Sequence, residues 1–139
     1  MGDSVSALYA TGMHCEGDVS EGTNGEPLFL RESRRRIYAG VYRSDKSLAI
    51  FLGRPPMMGW RYSDRRQQLD LSDEVITSED PAVLNEELTK FDDAGWNTEG
   101  KLHPASFIRV RCQLAIFKER LLEQSLAGEK DSGVVQNLQ

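Results

Sequence analysis

The sequence predicts an all-α fold, an incomplete helical domain built around two long packed helices. Apolar residues recur with the period of an α-helix over about residues 28–52 and 104–127, and a shorter amphipathic stretch covers about residues 81–92. No segment alternates apolar and polar residues as a half-buried strand does. Long irregular connections are expected between the helices. Residues 1–128 are expected to form one domain, followed by a disordered tail at residues 129–139.

The first residues are expected to finish a helix over Ser4–Ala10, with Gly12 as its C-terminal cap. A loop rich in glycine and acidic residues follows, from Glu16 to Pro27. Because a domain rarely opens on the end of a helix, partner helices upstream are expected to be missing.

The helix expected over residues 28–52 carries an apolar stripe along one arc of its surface. Two charged residues, Arg34 and Asp45, project from the centre of that stripe, so each must reach solvent or a partner on another element. Gly53 and the prolines after it are expected to end the helix, since glycine adopts the left-handed conformation of a C-cap and proline cannot continue a helix. The stripe contains Leu30, Ile37, Tyr38, Val41, Leu48, Ala49 and Leu52, and the far side contains Glu32, Arg36, Arg43, Ser47 and Ile50.

The two later helices have recognisable starts. Asp80 followed by Pro81 predicts the N-cap and first position of the shorter helix. Pro104 is expected to open the last helix and Gly128 to cap it, with Arg109, Gln113 and Arg120 on its solvent face. Spacings of three and four residues predict two buried stripes on this helix. The first is Phe107, Val110, Leu114, Phe117 and Leu121, and the second is Ile108, Cys112, Ala115, Leu122 and Leu126.

Composition limits the possible functions of the chain. Its 139 residues carry a net charge of −5 with a pI near 5.1, which argues against nucleic-acid binding by charge alone. The basic run Arg31–Arg36 is therefore interpreted as a solvated helix edge. No apolar run approaches the roughly 20 residues of a membrane span, and the N-terminus lacks the pattern of a secretory signal, so no membrane association is expected.

Residue chemistry predicts neither a metal site nor an enzyme. The possible metal ligands lack the paired short spacing of zinc sites. No histidine is accompanied by a Ser or Cys in a plausible catalytic order, and the glycines are not arranged as a phosphate-binding loop. The residues considered as metal ligands are His14, Cys15, His103 and Cys112.

One stretch, "RRRIYAGVYRSDKSLAIFLGRPPMM" from Arg34 to Met58, resembles the signature of the fungal-specific transcription factor domain. This domain is the regulatory middle homology region of fungal binuclear zinc cluster activators. The segment Gly12-Met13-His14 is similar to the Gly-Leu-His turn that precedes the signature in that family, and "QQLDLSDEVI" is similar to the acidic segment that follows it. The residues that match the signature are Arg35, Arg36, Tyr42, Asp45, Lys46, Leu52, Gly53, Arg54 and Pro55.

The resemblance implies a piece of a nuclear transcription regulator. DNA binding in that family belongs to a six-cysteine zinc cluster, which two cysteines cannot build, so neither zinc nor DNA contact is expected within this chain. The partners it implies are other helices of the full-length regulator, a protein partner or a small effector, and a homodimer is a further option. The alternative function is a stand-alone helical protein-interaction module without a DNA-binding role.

A specific side-chain pair is also predicted. Asp45 lies among apolar residues of its helix, where an unpaired carboxylate is strongly disfavoured. Arg111 is the corresponding cation between the two apolar stripes of the last helix, and its guanidinium can bind a carboxylate through two hydrogen bonds. We therefore expect Asp45 to be buried and paired with Arg111, with Arg54 as the rival partner. Asp45 and Arg54 are expected to be fixed polar anchors, and Gly53 and Pro55 to turn the chain.

Overall fold

The computed structural model describes residues 1–16 and 26–136, with side chains as far as residue 127. This part of the chain forms α-helices and no named strand, so the all-α prediction is confirmed. Two β-bridge partners, Phe91 and Asn97, pair in isolation within a turn. The α-helices are α1 (Gly2–Ala10), α2 (Leu28–Leu52), α3 (Asp73–Ile76), α4 (Pro81–Leu88) and α5 (Pro104–Gln136), and Trp60–Tyr62 form one 3₁₀ turn.

Glycines end the first two helices as predicted. After α1, Gly12 has a φ of 68°, and the amides of Gly12 and Met13 donate to the carbonyls of Tyr9 and Leu8 at 3.1 and 3.0 Å. These two hydrogen bonds form a Schellman ending. After α2, Gly53 has a φ of 60° in the left-handed region. The chain can therefore turn sharply at both positions.

The later helices begin where the sequence predicts but end elsewhere. The Asp80 carboxylate accepts from the Ala82 amide at 2.9 Å, which confirms the predicted N-cap. Helix α4 stops at Leu88 instead of residue 92, because the chain enters a turn closed by a 3.0 Å bond from the Asp92 amide to the Trp96 carbonyl. The predicted end of α5 is wrong, since the helix continues through Gly128. An interior glycine costs a helix only about 1 kcal/mol.

Residues 17–25 and 137–139 lie outside the described part of the chain, so most of the loop predicted at residues 16–27 falls outside it. The tail was expected to begin at residue 129, whereas α5 includes residues 129–136. The domain division at residue 128 stays a prediction.

The apolar core is small and lies where α2 packs along α5, with α1 beside them. Its centre is aromatic: the rings of Tyr38 and Tyr42 stack with centroids 5.9 Å apart, and Trp60 approaches Tyr42 edge-on at 5.6 Å. The buried members of the core are Val5, Leu8, Tyr38, Ala39, Tyr42, Met58, Cys112 and Ala115.

The apolar stripe predicted for the core side of α2 is only partly buried. Tyr38 and Ala49 are buried as predicted, and Val41 and Leu48 are half-buried, but Leu30, Ile37 and Leu52 are exposed. Glu32, which was predicted on the far side, is completely buried. Arg34 was predicted to face the core, but its side chain is half exposed and pairs with Glu26 at 2.8 Å.

The stripe prediction for α5 is right for one stripe and wrong for the other. Cys112 and Ala115 of the second stripe are buried, and Gln113 and Arg120 face solvent as predicted. All five residues of the first stripe are exposed, whereas the predicted solvent residue Arg109 is buried. Residues 105, 109, 112, 115 and 119 form the buried side of α5, and they combine small side chains with charged ones. Small residues allow the two helices to approach closely, and the charged ones have partners described below. The period of apolar residues therefore identified the helices but assigned only part of each buried face correctly.

Candidate functional site

The most distinctive feature of the molecule is an irregular stretch held between the helices, residues 57–70, here called the anchored segment. Apart from the 3₁₀ turn it has no regular structure to satisfy its backbone N–H groups. Buried backbone donors must find acceptors elsewhere. Several donors in this segment bond to four buried carboxylates, called here the anchor carboxylates: Glu16, Glu32, Asp45 and Glu119.

Asp45 holds the start of the anchored segment. Its carboxylate is fully buried and accepts from the backbone amides of Met57 and Met58 at 3.0 and 2.9 Å, and from Lys46 Nζ at 2.9 Å. Burial opposes ionisation, but the hydrogen bonds from Lys46 and the two amides outweigh it, so the pKa of Asp45 lies below its ordinary value. Asp45 is therefore a charged anchor for a returning stretch of backbone.

Lys46 neutralises this buried charge and adds contacts of its own. Its side chain is fully buried, its ammonium also donates to the Met58 carbonyl, and Nζ lies 4.3 Å from the centroid of the Tyr42 ring. The ring face attracts a cation most strongly where water is excluded. Together Asp45 and Lys46 bind both the N–H and the C=O of Met58, which fixes the orientation of that peptide backbone.

Glu119 joins α5 to the same cluster. It accepts from the Tyr42 hydroxyl at 2.5 Å and from the Trp60 amide at 3.1 Å, and it lies 3.4 Å from Lys46 Nζ. Burial and the hydrogen bond to Glu119 raise the pKa of Tyr42, so the hydroxyl stays a donor. One cluster of charges thus connects α2, α5 and the anchored segment.

A second cluster repeats the arrangement farther along the segment. Arg35, itself buried, donates to Glu16 at 2.8 Å and to Glu32 at 2.6 Å. The second oxygen of Glu16 accepts from the Arg66 amide at 3.1 Å, and that of Glu32 accepts from the Leu69 amide at 2.8 Å. Each carboxylate therefore uses one oxygen for the guanidinium and the other for the backbone.

Arg109 secures the end of the segment from α5. Its guanidinium donates to the backbone carbonyls of Gln68 and Ala94, the latter at 2.6 Å, and lies 4.4 Å from the Trp96 ring centroid. Burial lowers the pKa of Arg109. Arg109 was predicted to face solvent. A signal in the sequence that it is buried was its position three residues before Cys112, on the side of α5 that carries Ala105.

The turn after α1 contacts the middle of the anchored segment. The Met13 carbonyl accepts from Arg65 Nε at 2.9 Å, and the His14 carbonyl accepts from the Ser63 hydroxyl at 2.6 Å. The His14 ring packs 4.9 Å from the ring of Tyr9. Met13 and His14 thus contribute their backbone carbonyls to the segment, and Gly12 provides the sharp turn that places them there.

The remaining signature residues lie outside these clusters. Arg36 pairs with Asp73 at 2.6 Å near the surface. The Arg54 amide donates to the Ala49 carbonyl at 3.0 Å, but its side chain makes no hydrogen bond or ion pair within the described residues, so its predicted role as a polar anchor is not supported. Pro55 is exposed just after the turn at Gly53.

The predicted pair of Asp45 and Arg111 is half right. The burial of Asp45 is confirmed, but Arg111 is exposed and the cation bound to Asp45 is Lys46 on the same helix. The long Lys46 side chain can reach its neighbour because both groups converge on Met58. Helical winding places Arg109, two residues earlier than Arg111, on the buried side of α5.

Other chemistry of the described residues is limited. Within that part of the chain, no three His, Cys, Asp or Glu side chains are grouped to hold a metal ion. Cys15 is exposed and Cys112 buried, both as free thiols, and burial raises the pKa of Cys112 to about 11. Among the described helices, none combines the length and apolar character needed to cross a membrane.

Fold and clusters together define a helical domain in which buried ionisable side chains bind backbone and one another. Comparison of the chain with protein-family models, with curated proteins and with solved structures finds no match. The arrangement is suited to holding an irregular surface in one conformation.

Proposed function

We propose that this chain is the regulatory middle region of a nuclear transcription regulator, similar to that of fungal zinc cluster transcription factors, and that it acts by contact with other proteins. In this proposal DNA binding and zinc belong to another part of the regulator. The chain contributes a helical surface whose shape depends on the anchored segment.

The observation that supports the proposal is that three residues of the resemblance act together. Tyr42, Asp45 and Lys46 lie in one buried cluster, and Gly53 makes the turn that returns the chain to it. The spacing between the Asp-Lys pair and Leu-Gly-Arg-Pro thus has a physical explanation. The turn at Gly53 lies at the distance along the chain that brings the backbone of Met58 to Asp45. A resemblance whose residues act as a unit is more specific than scattered matches.

The buried ionisable groups also favour a contact function over catalysis. The anchor carboxylates bond to backbone amides and to neighbouring cations, so their oxygens are occupied by structural partners. A general base or nucleophile must instead reach a substrate.

The alternative is a stand-alone helical interaction module without a DNA-binding role. The observation that favours it is the exposed apolar stripe of α5, which suits contact with another protein whether or not that protein regulates transcription. The genomic sequence upstream of this chain distinguishes the two proposals. An in-phase reading frame that encodes a basic six-cysteine segment supports the regulator.

A tethering experiment tests the regulator directly. The full chain is fused to an unrelated DNA-binding domain and expressed in a fungal cell that carries a matching reporter gene. We expect reporter output to differ several-fold from that of the DNA-binding domain alone, and Asp45→Asn to remove the difference because it releases the start of the anchored segment at Met57 and Met58. Arg43→Gln, at an exposed position of α2, is the matched control and keeps the effect. A correctly expressed fusion that leaves the reporter unchanged contradicts the proposal.

A further inference from the structure

Helix α5 carries a narrow apolar stripe on the side away from α2. It consists of five apolar residues whose exposed fraction lies between 47% and 60%. The rest of the described chain therefore leaves about half of each residue uncovered. We call this stripe the outer seam. Its members are Phe107, Val110, Leu114, Phe117 and Leu121.

The outer seam and the buried side of α5 are opposite faces of one helix. At about 100° per residue, the seam centres near Leu114, whereas Arg109, Cys112 and Glu119 project from the other side and contact α2 or the anchored segment. The two phenylalanine side chains alone leave on the order of 200 Å² uncovered. Contiguous apolar surface of this kind marks an interaction site in soluble proteins.

The spacing of the seam indicates a helical partner. Successive members are three, four, three and four residues apart, which averages to the 3.5-residue repeat of a two-helix seam. The stripe is narrower than the broad apolar face, at least about 100° wide, of an ordinary amphipathic helix. From Phe107 to Leu121 it extends about 21 Å, enough for two heptads of a docked helix.

The charges beside the seam specify the partner further. Positions next to its two edges are occupied by Arg111, Lys118, Gln113 and Arg120, of which three are basic. Glu119 is the one acidic residue between positions 107 and 121, and it is buried on the opposite side. Side chains at such flanking positions select the partner of a two-helix seam by charge.

We propose that the outer seam binds an amphipathic helix of another protein that carries apolar residues at heptad spacing and acidic residues along both edges. This deepens the proposed contact function and rests on it, because it names the partner's chemistry. A second copy of α5 fits less well, since an antiparallel copy places Arg111 and Lys118 against the same cations and a parallel copy offers them no acidic partner. Anionic membrane is the other surface that basic amphipathic helices bind, but the seam is narrow and the whole chain has a net charge of −5.

The test uses the full chain and two designed helical peptides. Both peptides have leucine at the two seam positions of each heptad. The flanking positions are all glutamate in the first, called the glutamate peptide, and all lysine in the second. Each peptide repels copies of itself equally, so self-association does not distort the comparison. We expect the glutamate peptide to bind at least about tenfold more tightly by fluorescence anisotropy, and its affinity to fall as salt rises.

Two variants connect the binding to the seam. Leu114→Asp places a charge in the seam and should abolish binding of the glutamate peptide. Leu102→Asp alters a leucine that is 81% exposed just before α5 and should leave binding unchanged. Circular dichroism and thermal unfolding of both variants verify that the fold is kept, which is expected because both side chains are exposed.

Equal binding of the two peptides, or an equal loss in both variants, would overturn the proposal. So would a seam-dependent dimer in sedimentation, or seam-dependent binding to phosphatidylserine vesicles without binding to the glutamate peptide. The tethering experiment is read separately. Peptide failure with an active reporter refutes the seam proposal alone, and peptide binding with a silent reporter refutes the regulator alone.

Discussion

Replacing Asp45 with asparagine should destabilise the protein far more than the loss of an ordinary surface charge. The asparagine side chain would keep the shape of the aspartate but remove the negative charge. Its NH₂ group would face the Met57 amide in either orientation, because both oxygens of Asp45 accept from that amide. Breaking a buried pair by changing one partner costs about 3–5 kcal/mol. Lys46 retains Glu119 at 3.4 Å, so we expect about 3 kcal/mol, near the lower limit of that range.

Urea unfolding followed by circular dichroism measures this loss. Asp73→Asn is the matched control, because Asp73 pairs with Arg36 at 2.6 Å but is 58% exposed. Exposed pairs contribute about 0–1 kcal/mol. For a domain with about 5–15 kcal/mol of stability, the two losses should be clearly separated. A loss in Asp45→Asn no larger than that in Asp73→Asn would refute the anchoring role of Asp45.

Further outcomes follow from the same structure. The pKa of Asp45 is lowered in the folded protein, so its ionisation adds stability above about pH 4. This stability is lost as the pH falls through the folded-state pKa. The unfolding free energy should therefore change less steeply with pH in the acid range for Asp45→Asn than for the native protein. Gly53→Ala should lower the free energy of unfolding by about 1–2 kcal/mol, because Gly53 has a positive φ. Gly40→Ala, inside α2, should raise it by up to about 1 kcal/mol, because alanine favours a helix more than glycine does and the site has room for a methyl group. Equal effects of the two substitutions in urea unfolding would contradict this. A thiol reagent should modify Cys15 rapidly and Cys112 only on unfolding, and rapid reaction of both in the native protein would show that Cys112 is accessible.

The existence of the helices could be predicted from the sequence because local signals determine it. Helical periodicity gave α2 with its observed bounds, the Asp80-Pro81 pair gave the start of α4, and Gly12 and Gly53 marked two turns. These features depend on residues close together in the chain, so a single sequence is sufficient to find them.

The orientation of the helices was predicted only in part because the buried faces are partly charged. Glu32 was predicted on the far side of α2, and Arg35 belongs to the basic run interpreted as a solvated edge. Both are buried, as is Lys46, on the same side of α2 as Tyr42. Their spacing along the chain is itself helical: Glu32 and Arg35 are three residues apart, and Lys46 lies eleven residues, about three turns, beyond Arg35. Pairing between distant residues, as between Tyr42 and Glu119, has no local signature.

Arg111 was misplaced because the exposed stripe of α5, which contains Leu114, was predicted to be internal. Arg111, which lies beside that stripe, was therefore predicted to lie near the core. In the structure that stripe is exposed and Arg109 is the internal cation, because it binds backbone carbonyls at Gln68 and Ala94. Burial of a charge depends on partners that only the folded chain brings together.

Amide hydrogen exchange measures whether the buried carboxylates hold the backbone of the anchored segment in place. We expect slow exchange at the amides that bond to the anchor carboxylates, namely those of Met57, Met58, Trp60, Arg66 and Leu69. We expect fast exchange at Arg61 and Gln67, whose amides have no acceptor among the described residues. In Asp45→Asn, protection should fall first at Met57 and Met58, while Arg66 and Leu69 keep theirs. Fast exchange at all these amides in the native protein, or a uniform loss of protection in the variant, would contradict the claim.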